Sequence, residues 1–244
     1  MRVEVVGLRR SYGRLNAIDG VDLVVESGSR HALIGCNGAG KTTLLHVLAG
    51  TIRPTAGRIR YGDKDITGWS PAARSRAGIA RTFQAPALFD SQTVLDNLLL
   101  AGWPHDRRWG RGGRRAGLRA AALDRLDRLG IADQAAVPAG RLPHGRRRLV
   151  EIAMALVARP RLLLLDEPAA GLTDDDTEQL VSALGALPAE LTVVLVEHHQ
   201  DVVAELADTV TVLHDGVVIA SGSHAQVAAD PEVVRVYLGT GMSA

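Results

Sequence analysis

The segment from Gly35 to Thr43 has the residue types and the spacing of a phosphate-binding loop. It fits the pattern G-x-x-x-x-G-K-[ST] and lies between a strand-like run and a helix-like run, as that pattern requires. Glycines let backbone N–H groups turn toward an anion, and the following helix adds the positive end of its dipole. We therefore expect a nucleotide to contact Gly35, Cys36, Asn37, Gly38, Ala39, Gly40, Lys41, Thr42 and Thr43.

Lys41 and Thr42 bring specific chemistry to this loop. The chain has 28 Lys and Arg residues, and its two lysines are Lys41 and Lys64. Because arginine serves nearly everywhere else, a lysine at position 41 indicates a place for a compact ammonium inside a tight loop. Lys41 is expected to reach the terminal phosphates of the nucleotide, and the Thr42 hydroxyl is expected to bind Mg²⁺.

Two adjacent acids, Asp166 and Glu167, follow the apolar run Leu162–Leu165. Since neighbouring residues on a strand point to opposite sides, the two carboxylates are expected to have different tasks. Asp166 suits the ligand shell of Mg²⁺. Glu167 suits a general base that polarises an attacking water.

A second apolar run, Thr192–Val196, leads into Glu197, His198 and His199. A histidine at the C-terminal edge of an open α/β sheet lies where ligands bind. We expect His198, rather than His199, to contact the γ-phosphate. Together with Glu167 it is a candidate catalytic residue.

The elements around these motifs predict an α/β fold. Strand-like runs open the chain, a helix pattern follows at Thr43–Ala49, and strands alternate again with helices after residue 159. This alternation predicts a parallel sheet covered on both faces. Helix patterns occupy about 85–159 and predict an inserted helical subdomain within one domain, 1–244. The expected strands of the N-terminal part are Arg2–Val6, Val21–Glu26, His31–Ile34 and Arg58–Tyr61.

Composition excludes several classes of protein. With 46% hydrophobic residues, 23% charged residues and a net charge of +1, the chain has no global basis for nucleic-acid binding. The single cysteine, Cys36, excludes an internal disulfide framework. We expect no signal peptide and no membrane-spanning segment. The arginine-rich stretch His105–Arg119 is expected to be a solvated loop of the helical subdomain rather than a contact for anionic lipid or an acidic partner.

The order of the motifs resembles that of ABC-transporter ATP-binding subunits over essentially the whole chain. The resemblance rests on the phosphate loop, Arg81–Gln84 and the glycine motif Leu142–Arg148. It also rests on the acidic pair that ends one predicted strand and on the histidine that follows another. It implies a P-loop NTPase core of the ABC ATPase type with an N-terminal β subdomain. It also implies hydrolysis of ATP with Mg²⁺, coupled to transport across a membrane.

Further roles follow from the same resemblance. Tyr12 matches the aromatic residue that stacks on adenine, and Gln84 matches the glutamine that touches Mg²⁺ and the attacking water. The stretch Leu142–Arg146 takes the place of the LSGGQ signature, which contacts the nucleotide of the opposing subunit. Its expected contact residues are Leu142, His144 and Gly145.

Within the family, the chain resembles the branched-chain amino acid and urea importers. The stretches Thr93–Leu98, Asp166–Leu172 and Pro231–Gly239 carry this likeness. It implies membrane-spanning permease subunits, a second ATP-binding subunit, identical or different, and an extracytoplasmic solute-binding protein. The expected location is cytoplasmic, on the inner face of the plasma membrane. A urea or amide importer, a soluble non-transport ABC ATPase and a nucleotide-binding regulator remain as alternatives.

The sequence departs from the family pattern in the signature. Pro143 stands where a serine is usual, and Arg146 stands where a glutamine is usual. The missing hydroxyl removes one phosphate contact, whereas Arg146 is expected to add a cation near the anion. Thr173 replaces the usual Asp or Asn in the interface loop Ala169–Thr173, and Cys36 replaces a common proline. We therefore expect a working phosphate loop in this chain and a weakened contact to the partner's nucleotide.

Overall fold

The computed structural model describes residues 1–82, 87–104 and 114–239, with ten strands and nine α-helices in these ranges. The strands are β1 (Val3–Tyr12), β2 (Leu15–Val25), β3 (Arg30–Ile34), β4 (Ala56–Tyr61), β5 (Lys64–Asp65), β6 (Ile79–Arg81), β7 (Leu162–Asp166), β8 (Thr192–Val196), β9 (Thr209–His214) and β10 (Val217–Gly222). The helices are α1 (Lys41–Ala49), α2 (Pro71–Arg76), α3 (Val94–Gly102), α4 (Arg114–Arg128), α5 (His144–Val157), α6 (Asp174–Gly185), α7 (Gln200–Leu206), α8 (His224–Ala228) and α9 (Pro231–Gly239).

The central sheet has six strands in the order β10-β9-β3-β8-β7-β6. The five strands from β9 to β6 pair in parallel, and β10 joins the edge antiparallel to β9. Every residue of β7 and β8 is buried, as continuous apolar runs in a parallel sheet require. Side chains of β7 alternate between two hydrophobic clusters, with Leu163 and Leu165 in one and Leu162 and Leu164 in the other. The expected sheet with both faces covered is confirmed.

A second sheet, β2-β1-β4-β5, is antiparallel and packs with α1 on one face of the central sheet. Its strands β1 and β2 are longer than the sequence pattern predicts. The register between them shifts between Val5 and Leu8, where Gly7 has a φ of 55°. This β-bulge breaks the alternation of buried and exposed side chains, so the pattern stops at Val6 although the strand continues to Tyr12.

Helices α3, α4 and α5 pack against one another and contribute to the other hydrophobic cluster. Thr93 caps α3, because its side chain accepts a hydrogen bond from the backbone N–H of Asp96 at 3.1 Å. Helix α4 begins at Arg114, so the last part of the arginine-rich stretch is helical. The remainder of that stretch, 105–113, lies outside the described residues. None of the helices in the described ranges has the length and apolar character needed to cross a bilayer.

Arg74 ties α2 to the C-terminal end of α1. Its guanidinium donates hydrogen bonds to the carbonyls of Val47 at 2.7 Å and Ile66 at 2.8 Å, and it also bonds the carbonyls of Leu48 and Thr67. The side chain is 1% exposed, and this burial lowers the pKa of Arg74 to about 10. A buried arginine here adds hydrogen bonds to carbonyls at the end of a helix, where partners within the helix run out.

His31 begins a polar chain that crosses three strands, from its own buried side chain to an exposed serine. Its Nε2 lies 2.8 Å from the hydroxyl of Thr211, and that hydroxyl lies 2.8 Å from the hydroxyl of Ser221. His31 is 1% exposed, and burial lowers its pKa from 6.5 to about 4. The folded protein therefore holds this imidazole neutral at pH values where an unfolded chain would protonate it.

This shift predicts a loss of stability in mild acid. Between the unfolded pKa of 6.5 and the folded pKa of about 4, the unfolded state binds more protons, so the free energy of unfolding falls as the pH falls. The full effect is about 3 kcal/mol. Urea denaturation at pH 7.5, 6.5 and 5.5 should show a smaller pH dependence in His31→Gln than in the wild type. Equal pH dependence in the two proteins would contradict this role of His31.

Candidate functional site

Three parallel strands bring the predicted motifs to one edge of the central sheet. Strands β3, β8 and β7 are neighbours, with Val196 paired to Leu33 on one side and to Asp166 on the other. The phosphate loop follows β3, the acidic pair comes at the end of β7, and His198 follows β8. Residues that are far apart in the sequence thus meet at the carboxyl ends of the strands, where open α/β sheets bind ligands.

The phosphate loop needs glycine at Gly35 and Gly40. Their φ angles are 148° and 100°, which side chains other than glycine rarely tolerate. A Cβ at Gly35 would overlap the carbonyl oxygen of Leu213, and a Cβ at Gly40 would overlap that of Ala17. The loop is therefore pressed against the surrounding backbone at both glycines.

Lys41 is the first residue of α1 and is 6% exposed. Its Nζ donates hydrogen bonds to the carbonyls of Gly35 at 2.7 Å and Cys36 at 3.0 Å. Burial lowers the pKa of Lys41, while the negative charges of nearby groups, Glu167 first, act in the opposite direction. The loop thus holds a compact cation at its centre, in the position that an anionic ligand needs.

Thr42 and Asp166 form an oxygen-rich pair next to this cation. The hydroxyl of Thr42 lies 3.5 Å from Oδ1 of Asp166. Burial raises the pKa of Asp166, and the charge of Glu167 raises it further, whereas the imidazole of His46 lowers it. A hydroxyl and a buried carboxylate are the ligand types that Mg²⁺ prefers, so the two side chains fit this cation.

Glu167 lies in a turn and not in the strand. Strand β7 ends at Asp166, and Glu167 has a φ of 45°, in the left-handed region. This corrects the sequence argument, because the turn, and not the alternation of a strand, separates the two carboxylates. A non-glycine residue in this conformation costs of order 1 kcal/mol and is typical of functional sites.

Glu197 and His198 follow β8 directly. Glu197 is fully buried and accepts hydrogen bonds from the backbone N–H groups of Ala169 at 2.8 Å and His198 at 2.9 Å. Because its carboxylate is committed to these bonds, Glu197 serves as an anchor between two loops. The His198 side chain is 53% exposed, and its ring lies 4.4 Å from that of His199. The imidazole of His198 is accessible at the same edge as the phosphate loop.

The signature segment begins helix α5. Leu142 is buried, His144 is exposed, and Gly145 packs so closely on Asp176 of α6 that an added Cβ would overlap the carboxylate. Pro143 is the N-cap residue and has no side-chain group that could accept a hydrogen bond from the first turn. The first N–H groups of α5 therefore lack the side-chain cap that a serine would give them.

Arg146, in the first turn of α5, contacts the chain just after α4. Its Nη1 donates to the carbonyl of Gly130 at 3.3 Å, just beyond the end of α4. Basic side chains are favoured near the carbonyl end of a helix, which explains this placement. The guanidinium is thus held beside the end of α4, and its expected contribution near the partner's anion stays a prediction.

Tyr12 lies at the end of β1 and is 43% exposed. The guanidinium of Arg10 lies 4.3 Å from the centre of its ring, a cation–π contact that covers one ring face. Stacking on a base would therefore use the other face. Gln84, the other residue expected from the resemblance, lies outside the described residues.

Three side chains of this edge have a place in the site although the motifs assigned them no role: His46, Arg148 and Glu197. His46 lies 3.8 Å from Asp166 through its Nε2. Its position four residues after Thr42 puts both on one face of α1, which is a signal that could have found it. Arg148 and Glu197 gave no such signal, because the carbonyls that Arg148 binds after β7 and the N–H of Ala169 that Glu197 binds are distant in sequence.

Cys36 lies within the loop, partly buried, and its carbonyl accepts a hydrogen bond from Lys41. Alkylation of its thiol would add bulk to a loop that has no space to move away from the ligand. We expect N-ethylmaleimide to weaken nucleotide binding at least about 10-fold, and bound ATP to slow the alkylation. A fluorescent ATP analogue measures both effects, with Cys36→Ser as the resistant control. An alkylated protein with unchanged affinity would contradict the prediction.

Comparison with known protein families agrees with this geometry. The sequence profile of the ABC transporter family matches residues 18–170. A second profile, described as branched-chain amino acid ATP-binding cassette transporter, matches residues 217–242. The first match contains the phosphate loop and the acidic pair, and it covers more than half of the chain.

Individual relatives are similar over nearly the whole chain. The chain is 37% identical to the high-affinity branched-chain amino acid transport ATP-binding protein BraF of Pseudomonas aeruginosa, over 97% of each protein. It is 39% identical to the ribose import ATP-binding protein RbsA 1 of Mesorhizobium japonicum, over 97% of this chain and 45% of that protein. The crystal structure of an ABC-transporter ATP-binding cassette in its ADP conformation superposes with a TM-score of 0.86 at 30% identity, over 98% of this chain and 99% of that one. The chain therefore belongs to the ABC transporter family, as one of its ATP-hydrolysing cassettes.

Proposed function

We propose that this cassette powers an importer for branched-chain amino acids or a related small polar solute. The ATPase part of the proposal is supported by the meeting of Lys41, Asp166, Glu167 and His198 at one sheet edge. The importer part is supported by the match of residues 217–242 to the branched-chain amino acid profile. Overall identity does not rank the solutes, since the chain is 37% identical to the amino acid relative and 39% identical to the ribose relative.

In the proposed site, Lys41 and the loop N–H groups bind the β- and γ-phosphates of ATP. Thr42 and Asp166 would hold Mg²⁺, with Gln84 as a further ligand. When bound, Mg²⁺ neutralises charge on the phosphates. Tyr12 would stack on the adenine through the ring face that Arg10 leaves open.

The proposed catalytic step uses two further side chains. Glu167 polarises a water molecule for attack on the γ-phosphate and accepts its proton. His198, exposed at the end of β8, contacts the γ-phosphate and stabilises the charge that develops there. The turn that carries Glu167 and the loop that carries His198 are joined by the buried carboxylate of Glu197.

We further propose that the chain works as half of a head-to-tail pair on the inner face of the plasma membrane. Its partners would be a second ATP-binding subunit, membrane-spanning permease subunits and an extracytoplasmic solute-binding protein. The segment around Leu142, His144 and Gly145 would contact the partner's nucleotide through the N-terminus of α5. ATP would close the pair, and hydrolysis would reopen it.

Pro143 predicts a weak contact in that pair. The chain alone is expected to hydrolyse ATP slowly, and Pro143→Ser is expected to raise the rate about 10-fold, since a restored hydroxyl bond to a phosphate is worth about 1–3 kcal/mol. Steady-state phosphate release by the purified chain, at concentrations that allow dimers, tests this. A wild-type homodimer that already works at a rate near that of Pro143→Ser would remove the basis for a different partner subunit.

Purification from native membranes tests the transport proposal. A tagged chain in mild detergent should bring down hydrophobic permease subunits and a solute-binding protein. Reconstituted in proteoliposomes, the complex should hydrolyse ATP faster with binding protein loaded with leucine, isoleucine or valine than with urea or ribose. Stimulation by urea would favour the urea or amide importer, and recovery of soluble partners alone would favour a non-transport ATPase.

A further inference from the structure

The turn that carries Glu167 is built around one buried guanidinium. Nη2 of Arg148 donates to the carbonyls of Asp166 at 2.6 Å and Glu167 at 2.8 Å, and its Nε donates to the carbonyl of Pro168 at 3.1 Å. Three successive carbonyls thus converge on a side chain that is 3% exposed. Hydrogen bonds from a charged donor in a buried site are among the stronger ones in proteins.

Glu151 orients this guanidinium from the same helix. Its Oε2 accepts a hydrogen bond from Nη1 of Arg148 at 2.7 Å, and both side chains are almost fully buried. The ion pair compensates the buried charge and fixes the plane of the guanidinium, so that its other edge faces the turn. A lysine could not reproduce this planar set of donors.

The bonds fix the backbone of Glu167 in particular. Rotation about φ of Glu167 would move the carbonyl of Asp166, and rotation about ψ would move the carbonyl of Glu167 itself. Both carbonyls are bonded to the same nitrogen of Arg148. The left-handed conformation of Glu167, with its φ of 45°, therefore persists because the surroundings hold both dihedral angles.

We propose that Arg148 is the positioning residue for Glu167, holding its carboxylate where it can act on the attacking water. The inference rests on the proposed role of Glu167 as general base. Arg148 lies in helix α5, whose first turn is the signature segment. Arg148 thus links α5 directly to the backbone that carries the carboxylate of Glu167.

The test replaces the guanidinium by an ammonium and measures ATP binding and hydrolysis separately. In Arg148→Lys, kcat for ATP hydrolysis should fall about 10–100-fold, because small misplacements of a reacting group have effects of this size. The Kd for ATP and the KM should stay within about twofold, since the phosphate loop is untouched. Glu151→Gln, which loosens the ion pair but keeps the carbonyl bonds, should give a smaller loss of kcat, and it serves if Arg148→Lys does not fold.

Arg74→Lys is the matched control for a merely structural role. Arg74 is equally buried and also donates to several carbonyls, but it does so at the far end of α1. Its replacement should lower the melting temperature and leave kcat unchanged. If Arg148→Lys reduces kcat no more than Arg74→Lys does, the positioning role is wrong.

A double variant separates this inference from the proposed function. Single-turnover hydrolysis is compared in Glu167→Gln with and without Arg148→Lys, at protein in excess over radiolabelled ATP. If Arg148 acts through Glu167, the second substitution adds no further loss. If Arg148→Lys lowers hydrolysis in Glu167→Gln by the same factor as in the wild type, the inference is wrong. Normal turnover by Glu167→Gln alone would instead refute the general-base proposal.

Discussion

Glu167→Gln is expected to bind ATP as the wild type does and to hydrolyse it about 10²–10⁴-fold more slowly, the range typical of a lost general base. The amide has nearly the shape of the carboxylate but cannot accept the proton of the attacking water. Nucleotide binding depends on the loop around Lys41, whose contacts to Gly35 and Cys36 do not involve Glu167. Phosphate release and the affinity for a fluorescent ATP analogue measure the two effects separately.

Glu178→Gln controls for the loss of one negative charge. Glu178 is an exposed residue of α6, and its substitution should leave both ATP binding and turnover unchanged. Turnover by Glu167→Gln within a few-fold of the wild-type rate would take the general-base role away from this residue. His198 would then be the remaining candidate.

Lys41→Ala is expected to lose most of its affinity for ATP, by about 100-fold or more, and to lose hydrolysis with it. The substitution removes the buried cation from the centre of a loop that binds a highly charged ligand, where direct charge interactions are strong. Lys41→Arg should not restore binding, because a planar guanidinium is too large for the space that the loop carbonyls define. Isothermal titration calorimetry with ATP measures the affinity.

The chain offers its own control, since Lys64 is its other lysine. It lies in the short strand β5 and is exposed, so Lys64→Ala should bind ATP like the wild type. Binding by Lys41→Ala within a few-fold of the wild-type affinity would mean that the backbone N–H groups alone hold the phosphates.

The sequence was sufficient to predict the fold class and the set of strand ends that meet at the site. This succeeded because the phosphate loop is contiguous and because buried parallel strands such as β7 and β8 have continuous apolar sequences. The predicted length of β1 was too short, because the bulge at Gly7 interrupts the pattern of alternating side chains. An alternating pattern predicts a strand only as far as its two-residue period continues.

Contacts between residues that are far apart in the sequence could not be predicted from it. Nothing in the types of Arg148 or Glu197 shows that one bonds three carbonyls after β7 and the other joins the loops after β7 and β8. The left-handed conformation of Glu167 was equally hidden, because glutamate has no preference for it. The position of Arg146 beside Gly130 depends on how α5 packs near the end of α4, which its own sequence does not encode.

The conformation of Glu167 also lowers the stability of the fold at a position where turnover requires a carboxylate. Glycine would adopt a φ of 45° without steric strain, so this position would be more stable with a residue that has no carboxylate. A lineage freed from the need to hydrolyse ATP would be expected to drift toward glycine or asparagine at residue 167. Glutamate at this position thus gives up some stability in exchange for a carboxylate at the site.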